Sequence, residues 1–344
     1  MLNQTPAEAR ATLQDLVKRI GVDGFRVNQI HRRLWQRPAA SWESTSNLPA
    51  AIVRTLEAEF PILRPVVVSR QVSNDGTVKF LWKLIDGALI ESVVIPEGDR
   101  RTLCISSQVG CAFACVFCAT GAMGFGRNLE PWEITAQVRE MILLENIRPN
   151  NVVFMGMGEP LHNWGSVNTA LTILNDREGL GIGARHITVS TVGLIPQLAE
   201  LAARREQFRL AVSLHAPTSR KRAQIMPVER KYPLPALVDG LRKFRRRITF
   251  EYVMIAGVND TDSDAADLAE LAAELGAMVN LIPLHPGAAA EYKPTDADRM
   301  HQFARLARSR GVNVTLRRSR GLDISAACGQ LRVDFEGTHK VDAQ

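Results

Sequence analysis

Apolar residues in the first sixty or so positions recur at the three- and four-residue spacing of amphipathic helices. Thr5-Pro6-Ala7-Glu8 opens the first such stretch with a capping-box pattern and a proline at the first helical position. Val27, Ile30 and Leu34 share a face in FRVNQIHRRLW, and LPAAIVRTLEAEF repeats the pattern. Beyond Pro61 the texture is that of strands, in VVVSRQV, TVKFLWKLI and ALIESVVIP. The hairpin dipeptides Asp75-Gly76 and Asp86-Gly87 part them. Residues 1–96 thus read as a small accessory domain, a few helices followed by an antiparallel meander.

From about residue 100 short apolar runs alternate with helical stretches. The runs are TLCISSQ, NVVFMGMG, HITVSTVG, RLAVSLHA, TFEYVMIAG and AMVNLIPL, with a shorter VNVTLRR at the end. About six β–α units predict an α/β fold, a parallel sheet covered by helices. An open doubly wound sheet and a barrel both fit that count. Polar motifs close successive strands: GMGEP, STVG, SLHAP, GVND, PLHP and RSRG. Such loops at the C-terminal ends of parallel strands are where α/β barrels place active sites, which favours a partial barrel. Residues 97–334 form this core and 335–344 a tail.

With 344 residues, 46% of them apolar and 23% charged, the chain has an ordinary globular composition. No run approaches the roughly 18 apolar residues of a membrane helix, and the start has no secretory h-region. These features point to a cytoplasmic protein. A net charge of +6 suits an anionic partner such as nucleic acid. Basic residues clump in RKFRRR (242–247), SRKR (219–222) and RRSR (317–320), although RKFRRR also fits a solvated helix face.

Five cysteines, an odd number in a reducing compartment, argue for metal or redox use over a disulfide framework. Three of them, Cys111, Cys115 and Cys118, stand in CAFACVFCATG just after the first core strand. Three thiolates with no fourth in the stretch suit an iron–sulfur cluster with one iron open. A zinc knuckle completed by Cys104, Cys328 or a histidine is the alternative. Glu91 shares a strand face with Leu89, Val93 and Ile95, so a carboxylate points where apolar residues point. Buried there it becomes a proton acceptor; on an edge strand or bulge it reaches water instead. Taken alone, His215 reads as a core histidine and Cys328 as a small buried hydrophobe.

The Cx3Cx2C motif resembles the signature of the radical S-adenosylmethionine superfamily. Together, SSQVGCAFACVFCATG, VVFMGMGEPL, STVG, SLHAP and DISAACGQL resemble the RlmN/Cfr family of RNA adenine methyltransferases, over about Glu91 to Leu331. The resemblance implies a partial (β/α)6 barrel with an N-terminal accessory domain that binds RNA. It implies a [4Fe–4S] cluster on Cys111, Cys115 and Cys118, with S-adenosylmethionine on the open iron. Gly158 and Glu159 would hold the methionyl amine, and Ser190, Ser213, Leu214 and His215 would contact the cofactor. His285 stands in PLHPG where the family usually has asparagine, and imidazole cannot copy an amide's geometry.

By the same resemblance Cys328 carries a methyl group, Cys104 is its disulfide partner and Glu91 is a proton acceptor. Two S-adenosylmethionine molecules serve each turnover, one methylating Cys328 and one yielding a 5′-deoxyadenosyl radical. The implied substrate is adenine C2 in 23S ribosomal RNA and in transfer RNA, with an electron donor such as flavodoxin or ferredoxin and a monomeric enzyme. GMGEPL and IMPVERKYPL favour the RlmN branch over the C8-methylating Cfr branch. A noncatalytic zinc-stabilised RNA-binding protein is the rival of a different class. A radical enzyme acting on a protein glycyl site would leave Cys104, Cys328 and the basic clumps unexplained.

Overall fold

A computed structural model describes residues 1–331 except 46, 286–288 and 290, so the expected 335–344 tail lies outside the described residues. Three helices open the chain: α1 (Pro6–Arg19), α2 (Phe25–Arg32) and α3 (Ala50–Glu59). The capping box on α1 is formed, with the Thr5 amide donating to Glu8 at 2.8 Å and the Glu8 amide donating to the Thr5 hydroxyl at 3.4 Å. α1 buries Ala9, Leu13, Leu16 and Val17, and α2 buries Val27 and Ile30. Leu34 lies past the end of α2 yet is buried with them, because the chain turns back under the same core.

The predicted meander follows as β1 (Val66–Val72), β2 (Val78–Lys83) and β3 (Leu89–Glu97), then β4 (Arg100–Cys104). A ribbon of β5 (Gln108–Gly110) and β6 (Phe125–Asn128) flanks the short α4 (Ala119–Ala122). Next come α5 (Pro131–Leu144), β7 (Asn151–Phe154), α6 (Trp164–Asn175), β8 (Ile187–Thr191), α7 (Ile195–Ala203) and β9 (Arg209–Ser213). The chain continues through α8 (Ser219–Ile225), α9 (Leu234–Arg242), β10 (Ile248–Met254), α10 (Asp262–Glu274), β11 (Met278–Pro283), α11 (Ala297–Ser309) and β12 (Val314–Leu316).

Ten strands make one sheet, in the order β1-β2-β3-β4-β7-β8-β9-β10-β11-β12. Pairing is antiparallel from β1 to β4 and parallel from β4 onward. The parallel strands are the seven apolar runs read from the sequence, and among the described residues the sheet stays open, with β1 and β12 at its edges. Most residues of β9 and β10 are buried, as helix-covered parallel strands require. The boundary drawn at 96/97 falls at the β3–β4 hairpin, inside this continuous sheet. Segments flanking the N-terminal helices reach α5, where the Trp132 amide donates to Asn3 Oδ1 at 3.0 Å and Arg64 forks onto buried Glu140 at 2.9 and 2.6 Å.

Candidate active site

At the C-terminal ends of the parallel strands lies a cavity with about 920 Å³ of empty space, open to solvent on one side. Cys111, Cys115 and Cys118 line one wall. Gly158 and Glu159 follow β7, while Ser190 on β8, Ser213 on β9, His215 and His285 line the strand ends. Cys328 enters from the far end of the chain. Leu214, Cys104 and Glu91 are buried and lie outside this lining.

The cysteine loop is braced on all sides. Ala114 takes a left-handed φ of 46°, the Cys118 amide donates to the Cys115 carbonyl at 3.0 Å, and the Val116 amide donates to Ile225 at the end of α8 at 3.1 Å. Burial pushes all three thiols up, Cys111 to about 12, so the metal-free loop keeps its protons and iron binding would displace them. Among the described residues no three His, Cys, Asp or Glu side chains are placed to hold a single metal ion. Three thiols on one loop facing an open cavity fit a cluster held at three corners better than a closed zinc site.

The GMGEP turn needs its glycines. A Cβ on Gly156 would meet the Ile105 carbonyl at 2.7 Å, and Gly158, at φ +95°, would push one to 2.4 Å from Gln108 Cβ. This close approach lets Gln108 Oε1 accept from the Glu159 amide at 2.8 Å. Glu159 is buried, its Oε2 accepting from the Val192 amide at 2.8 Å and its Oε1 from the Leu161 amide at 2.9 Å. Burial outweighs those bonds and lifts its carboxyl to about 7. A buried acid at the cavity wall, held by two N–H donors, is a ready partner for an ammonium group.

The SLHAP turn wraps around β10: the Leu214 and His215 amides both donate to the Glu251 carbonyl, at 3.1 and 3.3 Å. His215 sits at φ 57°, its carbonyl gripped by Asn259 Nδ2 at 2.6 Å. The same asparagine donates to Val253 and accepts from the Ile255 amide, so its buried amide is satisfied. His215 Nδ1 accepts from the Val253 amide at 3.0 Å, and burial plus Arg222 drop the ring to about 3. The imidazole is therefore neutral with its proton on Nε2. His215 is buried, as a core histidine would be, and it also lines the cavity. His285 meets Ser319 Oγ through Nε2 at 2.9 Å, and burial lowers its ring.

Cys328 is exposed to the cavity rather than packed as a small hydrophobe. Burial pushes Cys104 up to about 12, a Cys328 thiolate pushes it further and Arg317 pulls it down. The protein around the cavity raises the Cys328 thiol and the same Arg317 opposes that, so one guanidinium acts electrostatically on both thiols. The Cys328 loop is latched at both ends. The Ala119 amide donates to Gly329 at 2.7 Å and Thr120 Oγ1 to Leu331 at 2.6 Å, tying it to the cluster loop. On the other side Asp75 Oδ2 accepts from the Gly321 amide at 3.0 Å, and Asp323 accepts from Ser73 Oγ at 2.5 Å and the Asn74 amide at 3.1 Å.

Glu91 is buried in β3 between paired strands, so it does not reach water at an edge. Its Oε1 lies 3.1 Å from Lys79 Nζ. Sequence reading missed Lys79, and it missed Glu251 and Arg317, which face each other at 3.8 Å. Glu251 interrupts the apolar β10 as Glu91 interrupts β3, and the same period-two test finds it. Arg317 was hidden in RRSR. The other basic clumps are partly committed: Arg222 is fully buried on Glu229 at 2.6 Å, Lys221 pairs with Asp264 at 2.6 Å, and Arg246 donates to carbonyls at the end of α7, while Arg220, Lys243 and Arg245 are exposed.

Residues 105–272 match the Radical SAM superfamily. A probable dual-specificity RNA methyltransferase RlmN of Gemmatimonas aurantiaca is 53% identical over 338 residues, covering 98% of this chain and 94% of that protein. The dual-specificity RNA methyltransferase RlmN 2 of Myxococcus xanthus is 44% identical, covering 95% and 92%. The crystal structure of a radical SAM methyltransferase from Sphaerobacter thermophilus superimposes with a TM-score of 0.89 at 41% identity, covering 96% of this chain and 98% of that one. With its strand-end cavity and its three-cysteine loop, the chain belongs to the RlmN family of radical SAM RNA methyltransferases.

Proposed function

We propose that this protein methylates C2 of an adenine in 23S ribosomal RNA, and in transfer RNA, through a methylated Cys328. The observation that carries this reading is the gathering of the three cluster cysteines, Glu159, His215 and Cys328 around one cavity. A [4Fe–4S] cluster with S-adenosylmethionine on its open iron supplies, when bound, the radical chemistry that an sp² adenine carbon needs. Cys111, Cys115 and Cys118 would hold the cluster. Gly158 and Glu159 would hold the methionyl amine, Ser190 and Ser213 would contact the cofactor at the strand ends, and neutral His215 offers its Nε2–H. Leu214, buried behind the cavity wall, would fix the SLHAP turn rather than touch the cofactor directly. Here His285 takes the place of the usual asparagine, as a half-buried ring already oriented by Ser319.

Cys328 presents its sulfur to the cavity and carries the methyl carbon. In the RNA adduct Cys104 attacks that sulfur, so an S–S bond forms as the S–C bond breaks. Before that attack the adduct gives up its unpaired electron to the electron carrier and its ring hydrogen, as a proton, to Glu91 or Cys104; the carbon released from sulfur is then protonated to the methyl group. A thiol or electron donor then reduces the Cys104–Cys328 disulfide. The strand-end walls exclude water from the radical step.

Two S-adenosylmethionine molecules are used per turnover, and an electron donor of the flavodoxin or ferredoxin kind serves the cluster. Residues 1–96 act as the accessory RNA-binding portion and 97–334 as the core of a monomeric, cytoplasmic enzyme. In keeping with this, no helix among the described residues is long and apolar enough to cross a membrane.

The test is an anaerobic reaction of iron-reconstituted protein with S-adenosylmethionine, reductant and ribosomal RNA, followed by mass spectrometry of the digested nucleosides. 2-Methyladenosine that vanishes in Cys328→Ala is the expected result. 8-Methyladenosine would transfer the protein to Cfr-type chemistry. Zinc in place of an iron–sulfur cluster would end the enzyme reading.

A further inference from the structure

Lys79, Val93 and Cys104 stand opposite one another across β2, β3 and β4, so their side chains share one face of the sheet. Glu91, two residues before Val93, lies on that face too. Lys79 is buried in the meander beside Phe80, Leu81 and Trp82, whereas Lys83 on the same strand is exposed. A buried ammonium is costly unless fully partnered. The partners of Lys79 are two elements of the site: Glu91 Oε1 at 3.1 Å and the Ser325 carbonyl at 3.4 Å.

Ser325 has a left-handed backbone, φ 50° and ψ 45°, three residues before Cys328. A non-glycine residue stays in that region only where its surroundings hold it. From these contacts we propose that Lys79 is a positioning residue, fixing the Glu91 carboxylate and the Cys328 loop relative to each other. Its cation sits at the joint, with Glu91 on one side and the loop backbone on the other. The latch of Asp75 and Asp323 holds the start of the loop, and Lys79 holds the part that turns toward the cysteine. The catalytic half of this assignment rests on reading Glu91 as proton acceptor and Cys328 as methyl carrier.

Cluster-loaded, full-length Lys79→Met, Lys79→Gln and Lys79→Arg proteins test it with three readouts. These are amide exchange in peptides spanning 319–331, S-methyl occupancy of Cys328, and single-turnover methylation of ribosomal RNA. Methionine keeps the volume but removes the cation beside buried Glu91, so urea unfolding and cluster content are measured alongside as the control for folding. In Lys79→Met, exchange around Ser325 should quicken several-fold, while S-methylation of Cys328 should stay close to wild type. RNA methylation should fall about tenfold or more, with the RNA–Cys328 adduct accumulating.

Lys79→Gln, which keeps a donor for the Ser325 carbonyl but no charge, should recover loop protection without recovering turnover. Lys79→Arg should recover both. Unchanged exchange in Lys79→Met would overturn the anchoring. Equal losses of cluster content, Cys328 methylation and RNA methylation would reduce Lys79 to a folding residue and overturn the assignment. Should Glu91→Gln or Cys328→Ala keep full RNA methylation, the underlying functional reading would fall and the catalytic half with it. Amide exchange, which needs no turnover, decides the anchoring on its own.

Discussion

Replacing Glu159 by glutamine changes one oxygen to an NH₂ group, and the structure assigns a consequence to each end of that change. Both carboxylate oxygens accept from backbone amides, Oε1 from Leu161 and Oε2 from Val192. Glutamine can satisfy only one, and its NH₂ must face the other N–H, donor against donor. Leaving that buried donor unsatisfied costs about 1–3 kcal/mol. Against this, the variant no longer pays for burying a charge whose carboxyl is already lifted to about 7, so the net change in stability of the metal-free protein should be small.

Cofactor binding has no such compensation. A hydrogen bond to a charged group contributes about 1.5–3 kcal/mol, so loss of the carboxylate should weaken S-adenosylmethionine binding by about ten- to a hundredfold. Calorimetric titration of cluster-loaded wild type and Glu159→Gln measures this, with urea unfolding of both as the control for folding. If the variant binds within twofold of wild type while unfolding normally, Glu159 does not hold the amine and its two backbone bonds are its whole purpose.

His215 sets an acid limit on stability. Its ring is lowered from the usual 6.5 to about 3, so its contribution is fully present above pH 6.5 and is lost as pH falls toward 3. The loss reaches on the order of 4–5 kcal/mol. His215→Asn, which tolerates the left-handed backbone, should lose much less stability between pH 7 and pH 4 in urea titrations. Gly156→Ala, whose methyl would strike the Ile105 carbonyl, should destabilise by about 1–3 kcal/mol and lower the unfolding midpoint. Arg317→Met removes the cation that lowers both Cys104 and Cys328, so iodoacetamide should alkylate Cys328 several-fold more slowly at pH 8. An equal or faster rate would mean that the guanidinium serves Glu251 alone.

The parallel core was legible because each of its strands is a short apolar run closed by a polar motif, and all seven runs became strands of the sheet. The three-cysteine loop, Glu159 and Cys328 stand out in the sequence as motifs, and the fold brings them to one cavity. What the pattern could not show is which charged residues turn inward. RRSR looks like surface, yet Arg317 sits at the end of β12 and reaches Glu251 across β11, a contact fixed by strand order. SRKR likewise hides Arg222, whose guanidinium also donates to the Val192 carbonyl at 2.6 Å and so steadies the residue that holds Glu159. A clump of like charges predicts exposure on average, but a helix or strand presents each member in a different direction.

The same limit applies to the boundary between accessory and core segments. Composition changes at residue 96, but β3 pairs with β4 and the sheet runs on. Because the sheet is continuous, Lys79, Glu91 and Cys104 come from neighbouring strands and fall on one face. Because the β1–β2 turn reaches the far end of the chain, Ser73, Asn74 and Asp75 bind the loop that carries Cys328. Cys328 is therefore held between two supports, the three-cysteine loop through Gly329 and Leu331 and the meander through Gly321, Asp323 and Ser325. In its proposed role the Cys328 sulfur serves first a cofactor and then an RNA base, which asks for a loop fixed at its ends and open at its centre. The meander supplies half of that fixation, which makes it part of the active site as well as a neighbour of it.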